Sequence, residues 1–257
     1  MADWTEFDEL IDEGSAAPTE GWDFSWLNGR ATEGRPSWKY VASLTRRIDH
    51  ASSVLDIQTG GGERFAEALL GSVHLPESLA ATEPWPPNVA KARQTLSPFG
   101  VVVSEVGERE PFPFADQSFD LVCSRHPTMN NWAEISRVLR HNGIFFSQQI
   151  GAGTNRELTD FFMGPQLLAD DQRPDVAASH ARAAGLEIID AREESLPVVF
   201  FDIGAVVYFL RKVIWTVPNF SVEEYRDRLM ILHERIASEG SFTSHSQRFL
   251  IEARKVL

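Results

Sequence analysis

The sequence predicts an α/β fold in which β-strands and α-helices alternate along the chain. The first observation is in residues 53–63, where an apolar run of strand-forming residues ends in three consecutive glycines. The second is in residues 65–70, where apolar residues recur at helical spacing before Gly71. A strand, a glycine-rich turn and a helix together present bare backbone and a helix N-terminus to a nucleotide-like ligand.

The composition indicates one α/β domain with room for an insertion. The chain has 257 residues, of which 43% are hydrophobic, so it can bury a sizeable core. Its lone cysteine, Cys123, excludes a disulfide framework and is expected to be a reduced core residue. The N-terminus carries no signal sequence, and the apolar stretch 198–210 is shorter than the ~20 residues of a membrane span. We therefore expect a soluble, cytoplasmic protein without a membrane partner.

The net charge of −13 bears on whether the protein acts on nucleic acid or on a small molecule. Affinity for nucleic acid comes largely from Lys and Arg neutralising phosphates, so an acidic protein repels RNA and DNA unless it has a basic patch. The nearest such patch, residues 30–47, has Glu33 among its basic side chains. The charge thus favours a small-molecule substrate over nucleic acid. The sequence contains no metal-ligand spacing, so no metal is predicted.

The spacing of the glycines limits the classes of ligand that the turn is suited to bind. A dinucleotide-binding turn has the pattern G-x-G-x-x-G, whose third glycine allows close helix–strand packing. Gly60 and Gly62 supply the first two glycines, but Phe65 stands in the third place. A nicotinamide dehydrogenase is therefore disfavoured. No G-K-S/T element follows the turn, which disfavours a phosphate-cradling loop as well.

The turn does resemble the first motif of class I S-adenosylmethionine-dependent methyltransferases, specifically the type 11-like methyltransferase domain. That motif reads D/E-x-G-x-G-x-G, and Asp56, Gly60 and Gly62 stand on it. Gln58 replaces its first glycine. Residues 107–122 are similar to a second family stretch, G-D-A-x-x-L-P-F-x-D-x-S-F-D-L-V, and a third stretch, "RVLRHNGIFF", is similar to the family's R-V-L-x-x-G-G.

The resemblance covers about residues 50–195 and the last strand. It implies a Rossmann-like, doubly wound, seven-stranded and mostly parallel sheet with the last strand antiparallel. We expect an N-terminal arm over residues 1–37 and a methyltransferase domain over residues 38–257. The arm is expected to be irregular and is rich in aromatic residues. It either packs on its neighbour or forms a lid in which Arg30 or Arg35 meets a carboxylate. Residues 193–241 are expected to be a helical insertion that covers the substrate.

The resemblance also implies S-adenosyl-L-methionine as the cofactor. At the end of the second predicted strand, Glu83 is placed to accept hydrogen bonds from the ribose hydroxyls, with Pro84 and Trp85 flanking the adenine. By resemblance, Glu108 and Arg109 recognise the adenine edge. The predicted cofactor-binding residues are Asp56, Gln58, Thr59, Gly60, Gly61, Gly62, Glu83, Pro84, Trp85, Glu108, Arg109 and Ser124.

One candidate catalytic residue, His126, follows the strand predicted over residues 119–124. Ligands bind outside the carboxyl ends of strands in such folds, so His126 could take a proton from the nucleophile. The alternative is a structural histidine. Gln148 and Gln149, at the end of the next predicted strand, either bind a polar substrate or satisfy loop backbone.

These observations predict an S-adenosylmethionine-dependent methyltransferase that acts on a small molecule by direct in-line transfer. Two alternatives stay open, methylation of RNA or protein, and cofactor binding without turnover. The sequence leaves the methyl acceptor, the methylated atom, the need for a base and the oligomeric state undetermined.

Overall fold

The computed structural model describes residues 4–21, 23–167 and 172–256. The helices are α1 (Trp4–Ala16), α2 (Tyr40–Ile48), α3 (Glu63–Leu70), α4 (Pro86–Leu96), α5 (Trp132–Val138), α6 (Arg156–Met163), α7 (Pro174–Ala183), α8 (Ile203–Lys212) and α9 (Val222–Glu239). The strands are β1 (Ala31–Glu33), β2 (Ser53–Ile57), β3 (Ser78–Glu83), β4 (Val102–Glu105), β5 (Phe119–Arg125), β6 (Leu139–Ile150), β7 (Leu186–Phe200) and β8 (Phe242–Lys255).

The strands form one mixed sheet with the order β1-β7-β8-β6-β5-β2-β3-β4. Strands β6, β5, β2, β3 and β4 pair in parallel with one another. Strand β8 pairs antiparallel with β6, as the resemblance implied for the last strand. The predicted α/β fold is therefore confirmed.

The sheet has eight strands where seven were predicted. The additional strand is β1, whose residues Ala31–Glu33 pair antiparallel with residues 198–200 of β7. Its three residues show no apolar alternation and none is fully buried, so the local pattern does not distinguish it from a loop. It pairs because β7 is a long strand that continues to Phe200.

The chain divides into two compact units. Unit 1 comprises Met1–Arg35, Gly153–Ala169 and Ser195–Gln247, and unit 2 comprises Pro36–Ala152, Asp170–Glu194 and Arg248–Leu257. Strands β7 and β8 contribute residues to both units. The boundaries drawn from the sequence, 1–37, 38–257 and 193–241, stay predictions.

Unit 2 buries its parallel strands on both faces. Val54 of β2 belongs to a hydrophobic cluster with buried residues of α2, α3 and α4. Its neighbour Leu55 belongs to a second cluster, with buried residues of α5 and α7. Because both faces are covered, such strands are near-continuous apolar runs. This is why β2 and β5 could be located from the sequence.

Unit 1 has its own core, to which α1, α6, α8 and α9 contribute. Residues 4–16 form a helix, not the irregular arm expected from the sequence. Phe7 and Ile11 recur at helical spacing and are buried, and Gly14 continues their stripe. A Cβ added at Gly14 would lie 2.4 Å from the carbonyl oxygen of Gly204 in α8. The two helices therefore cross at a point where only glycine fits.

Arg30 stabilises unit 1 through charged partners of its own unit. Its guanidinium donates to both carboxylate oxygens of Asp202, at 2.8 and 2.9 Å, and to Glu13 at 2.8 Å. The guanidinium also lies 4.2 Å from the ring centroid of Trp26. Asp202 in turn accepts from the Ala205 N–H at 2.8 Å and so caps α8. Arg30, one of the two arginines that a lid would use, thus already has carboxylate partners.

Candidate functional site

The glycine-rich turn after β2 has two glycines in the left-handed region, Gly60 at φ 62° and Gly62 at φ 82°. A Cβ at Gly60 would meet nothing within 4 Å, so the backbone there borders open space. A Cβ at Gly62 would lie 2.8 Å from Cγ of Leu96 in α4. Gly60 therefore leaves room for a ligand, whereas Gly62, which precedes α3, lets α4 pack. Thr59 anchors the turn by donating its N–H to the Thr82 carbonyl at 2.9 Å.

Glu83, the last residue of β3, lies directly beside this turn. One carboxylate oxygen accepts the Gly60 N–H at 2.9 Å. The other accepts the Trp85 N–H and the Asn88 side-chain amide, both at 3.2 Å. Glu83 is only 4% exposed. The three donors hold its buried carboxylate in one position. The sequence predicted an acid here, and the structure brings it to the turn.

Pro84 and Trp85 follow Glu83 and lead into α4. Pro84 is half-buried, whereas Trp85 is 52% exposed although it is a large apolar residue. An exposed ring beside a buried carboxylate is suited to stacking on a flat ligand.

Asp56 lies within β2, below the turn, and is buried. The Cys123 thiol donates to its carboxylate at 3.4 Å. Burial, and to a smaller extent the negative charge of Glu83, raises the pKa of Asp56 from 3.8 to about 7. Its charge therefore changes near neutral pH.

Gln58, which replaces the family's first glycine, adopts φ 54° and is half-buried. Its amide group reaches the loop after β5, donating to the Met129 carbonyl at 2.7 Å and accepting the Thr128 N–H at 2.7 Å. The Thr128 hydroxyl lies 2.6 Å from a carboxylate oxygen of Glu108. Glu108 and its neighbour Arg109 are both exposed. A chain of contacts thus runs from the turn to Glu108.

Ser124, near the end of β5, is fully buried. Its hydroxyl pairs with that of Ser147 in β6 at 2.7 Å, and its carbonyl accepts from the Tyr40 hydroxyl at 2.9 Å. The hydroxyl and the carbonyl of Ser124 therefore both have protein partners. Its role at the cofactor stays a prediction.

His126 has a hydrogen-bonded ring. The Trp38 indole donates to Oε1 of Gln148 at 2.7 Å, so Nε2 of that side chain is the nitrogen that faces Nε2 of His126 at 2.8 Å. An amide nitrogen can only donate, so the His126 Nε2 lone pair accepts and the ring proton resides on Nδ1. Burial, followed by the positive charges of Arg125 and Arg248, holds the pKa of His126 well below 6.5.

This arrangement bears on the two roles that the sequence left open for the ring. A neutral imidazole with its lone pair engaged is a poor proton acceptor. The geometry therefore favours the structural alternative, and base catalysis by His126 stays a prediction.

The sequence did not identify three residues that hold the site together, Trp38, Asn88 and Thr128. Asn88 lies in the first turn of α4, five residues after Glu83. Thr128 contacts Gln58 from 70 residues away, and no local pattern predicts such a contact.

The strand order, the glycine turn and the strand-end acid are those of a Rossmann-like fold that binds a nucleotide-like ligand. Residues 55–147 match the model of the family described as "Methyltransferase domain". The resemblance to class I S-adenosylmethionine-dependent methyltransferases is therefore confirmed, and S-adenosylmethionine is supported as the cofactor of this domain. No sequence among curated proteins matches the chain.

Solved structures with the same fold have low sequence identity to the chain. A candidate methyltransferase from Bacillus halodurans has 16% identity and a TM-score of 0.58, over 84% of this chain and 99% of that one. Geranyl diphosphate methyltransferase in complex with SAM has 13% identity and a TM-score of 0.50, over 84% and 85%. The [4+2]-cyclase SpnF has 17% identity and a TM-score of 0.50, over 98% and 92%. At such identities the likeness shows the fold.

Among the described residues, none of the helices has the length and apolar character needed to cross a membrane.

Proposed function

We propose that the protein transfers the methyl group of S-adenosylmethionine to a small molecule. The observation that supports this most directly is the hydrogen bond from Gly60 N–H to the Glu83 carboxylate, at 2.9 Å. It joins the two elements that a cofactor with a ribose and an amino-acid end requires, an acid for the hydroxyls and bare backbone for the other end.

The residues fit the cofactor at several points. Glu83 would bind the ribose hydroxyls, and the open space at Gly60 would admit the amino-acid end close to the backbone. Trp85, exposed beside Glu83, would flank the adenine with Pro84, while Glu108 and Arg109 would meet its polar edge. Asp56, Gln58, Thr59, Gly61, Gly62 and Ser124 would support the turn and the strands below it.

The reaction needs little acid–base chemistry. When bound, the cofactor supplies a methyl carbon that its sulfonium charge makes electrophilic, so the protein's task is alignment and exclusion of water. His126 is neutral with its Nε2 lone pair engaged by Gln148. We therefore expect an acceptor whose nucleophilic atom arrives deprotonated, or loses its proton to another group.

A small-molecule acceptor is favoured by charge. At a net charge of −13, the protein repels polyanions at long range. Geranyl diphosphate methyltransferase, which shares the fold, is named for a small-molecule acceptor. Residues 1–37 and 193–241 stay our prediction for the segments that select it.

Titration calorimetry with S-adenosylhomocysteine tests cofactor binding. Replacing Glu83 by Ala removes a buried charged acceptor, and we expect affinity to fall about thirty-fold. Glu105→Ala is the matched control, because Glu105 is paired with Glu83 in register on β4 but is exposed. It should bind as the wild type does. Equal affinities in all three proteins would refute the assignment of Glu83.

Transfer of a labelled methyl group to a panel of small molecules, RNA and proteins tests the acceptor class. Labelling of RNA, with binding that weakens steeply as salt rises, would contradict the small-molecule proposal.

A second candidate is a cofactor-binding enzyme of different chemistry, because a [4+2]-cyclase shares the fold over 98% of this chain. Tight cofactor binding without methyl transfer to any acceptor of the panel would favour it.

A further inference from the structure

We propose that Gln58 and Thr128 are positioning residues that couple cofactor binding to the loop after β5. This loop, residues 126–131, is called the β5–α5 loop below. The inference rests on the proposed function, because it requires Glu108 to meet the adenine edge. It assigns a role to the position at which this chain departs from the family's glycine.

Gln58 holds the loop by two successive backbone groups. Its amide oxygen accepts the Thr128 N–H at 2.7 Å, and its amide nitrogen donates to the Met129 carbonyl at 2.7 Å. Donor and acceptor are both used, so the side chain has one orientation. A glycine at this position could make neither contact. Gln58 therefore fixes the loop to the glycine-rich turn after β2.

The Thr128 hydroxyl has one hydrogen and two acceptors within reach. The Glu108 carboxylate oxygen lies at 2.6 Å and the Gln58 amide oxygen at 2.9 Å. A hydroxyl can donate to only one of them at a time. The shorter contact, to the carboxylate, takes the hydrogen because charge-assisted bonds are the stronger ones.

Cofactor binding would change which of these two acceptors the Thr128 hydroxyl uses. If the adenine edge donates to the Glu108 oxygen that Thr128 now uses, it displaces the Thr128 hydroxyl, which then turns to Gln58. The loop then gains a third bond to Gln58, in addition to those of the Thr128 N–H and the Met129 carbonyl. The state of the loop is thereby linked to the presence of the cofactor, and by linkage the loop affects cofactor affinity.

The β5–α5 loop also contacts the end of β6. The Asn130 amide nitrogen donates to the Gln149 amide oxygen at 3.0 Å. Within the described chain, the two remaining amide atoms, Asn130 Oδ1 and Gln149 Nε2, are buried without a partner. In this fold ligands bind outside these strand ends. A shift of the loop thus moves polar groups at the edge where an acceptor would bind.

Hydrogen exchange of the Thr128 amide measures the Gln58 contact directly. In Gln58→Gly we expect this amide to exchange about tenfold faster, because its acceptor is removed. Gln117→Gly is the matched control, since Gln117 is the same residue type at φ 53° and glycine relieves the same left-handed backbone there. S-adenosylhomocysteine should slow exchange of the β5–α5 loop in the wild type and in Gln117→Gly, but not in Gln58→Gly.

Thr128→Val tests the hydroxyl, because it keeps the N–H bond to Gln58 and frees Glu108. We expect S-adenosylhomocysteine to bind about threefold more tightly, since no bond to Glu108 must be broken. Unchanged or weaker binding would overturn the coupling through the hydroxyl. Equal Thr128 exchange in Gln58→Gly and Gln117→Gly would overturn the role of Gln58. A wild type that binds no S-adenosylhomocysteine would refute the proposed function, and this inference with it.

Discussion

The two units use glycine and charge in opposite ways. In unit 1, Gly14 and Gly204 meet where two helices cross, and a Cβ at Gly204 would lie 2.5 Å from a backbone oxygen of α1. In unit 2, Gly60 borders open space. The charged Arg30 of unit 1 has two carboxylate partners. Asp56 of unit 2, by contrast, is buried with no cationic partner among the described residues, and its pKa is raised to about 7. Arg30 thus has its charged partners within unit 1, and unit 2 keeps groups suited to a ligand.

The largest expected effect concerns the buried acid of unit 2. The folded state raises the pKa of Asp56 from 3.8 to about 7, so it holds the proton more tightly than the unfolded state does. The contribution of Asp56 to stability is therefore greatest below about pH 4 and declines as pH rises to about 7, by about 4 kcal/mol in all. Urea unfolding at several pH values should show this decline in the wild type but not in Asp56→Asn. The same pH dependence in both proteins would contradict it.

The next effect concerns the helix crossing of unit 1. Gly204→Val places side-chain atoms against the backbone of α1, so we expect unfolding free energy to fall by about 3 kcal/mol. Binding of S-adenosylhomocysteine, which we assign to unit 2, should change little in protein that remains folded. Thermal unfolding and calorimetry on the same sample measure both. A fully stable Gly204→Val protein would show that the two helices can separate at no cost.

Gly60→Ala should have the opposite effect to Gly204→Val, with a small loss of stability and a large loss of affinity. Its methyl group meets no atom within 4 Å, so the cost in stability is the left-handed backbone alone, about 1 kcal/mol. Affinity for S-adenosylhomocysteine should fall at least about tenfold, because the backbone can no longer approach the ligand. Undiminished affinity would argue against cofactor binding at this turn.

The smallest effect is expected for the histidine of unit 2. If His126 is structural, His126→Gln should lower the methyl-transfer rate by about threefold at most, well below the 10²–10⁴-fold typical of a lost general base. The pH–rate profile should also keep its shape. A loss of about a hundredfold or more would restore His126 as the base.

Residues 53–57 illustrate what the sequence could predict. Three of the five, Val54, Leu55 and Ile57, are apolar because both faces of their strand are covered. Parallel strands also align their carboxyl ends. The register that pairs Ile57 with Thr82 brings Glu83 to the turn, although Glu83 is far away in sequence. The family resemblance supplied the identity of the ligand.

Other features have no local signal. The contacts of Gln58 with Thr128, and of His126 with Gln148, join residues that approach only when loops pack on strand ends. The helical segment 4–16 contains Asp, Glu and Gly between its apolar residues, so its stripe is visible only once α8 is known to cover it. Long-range packing determines such elements more than propensity does.

Unit 1 is assembled from three separate segments of the chain, and this affects how it folds during synthesis. The segments are Met1–Arg35, Gly153–Ala169 and Ser195–Gln247. The first segment emerges from the ribosome long before the last, and at 5–20 residues per second it waits roughly ten to thirty seconds for its partners. During that interval Phe7 and Ile11 are exposed on the nascent chain, where a chaperone could shield them. The stretch from Pro36 to Ala152 meets most of its neighbours earlier, so unit 2 can begin folding while unit 1 is still incomplete.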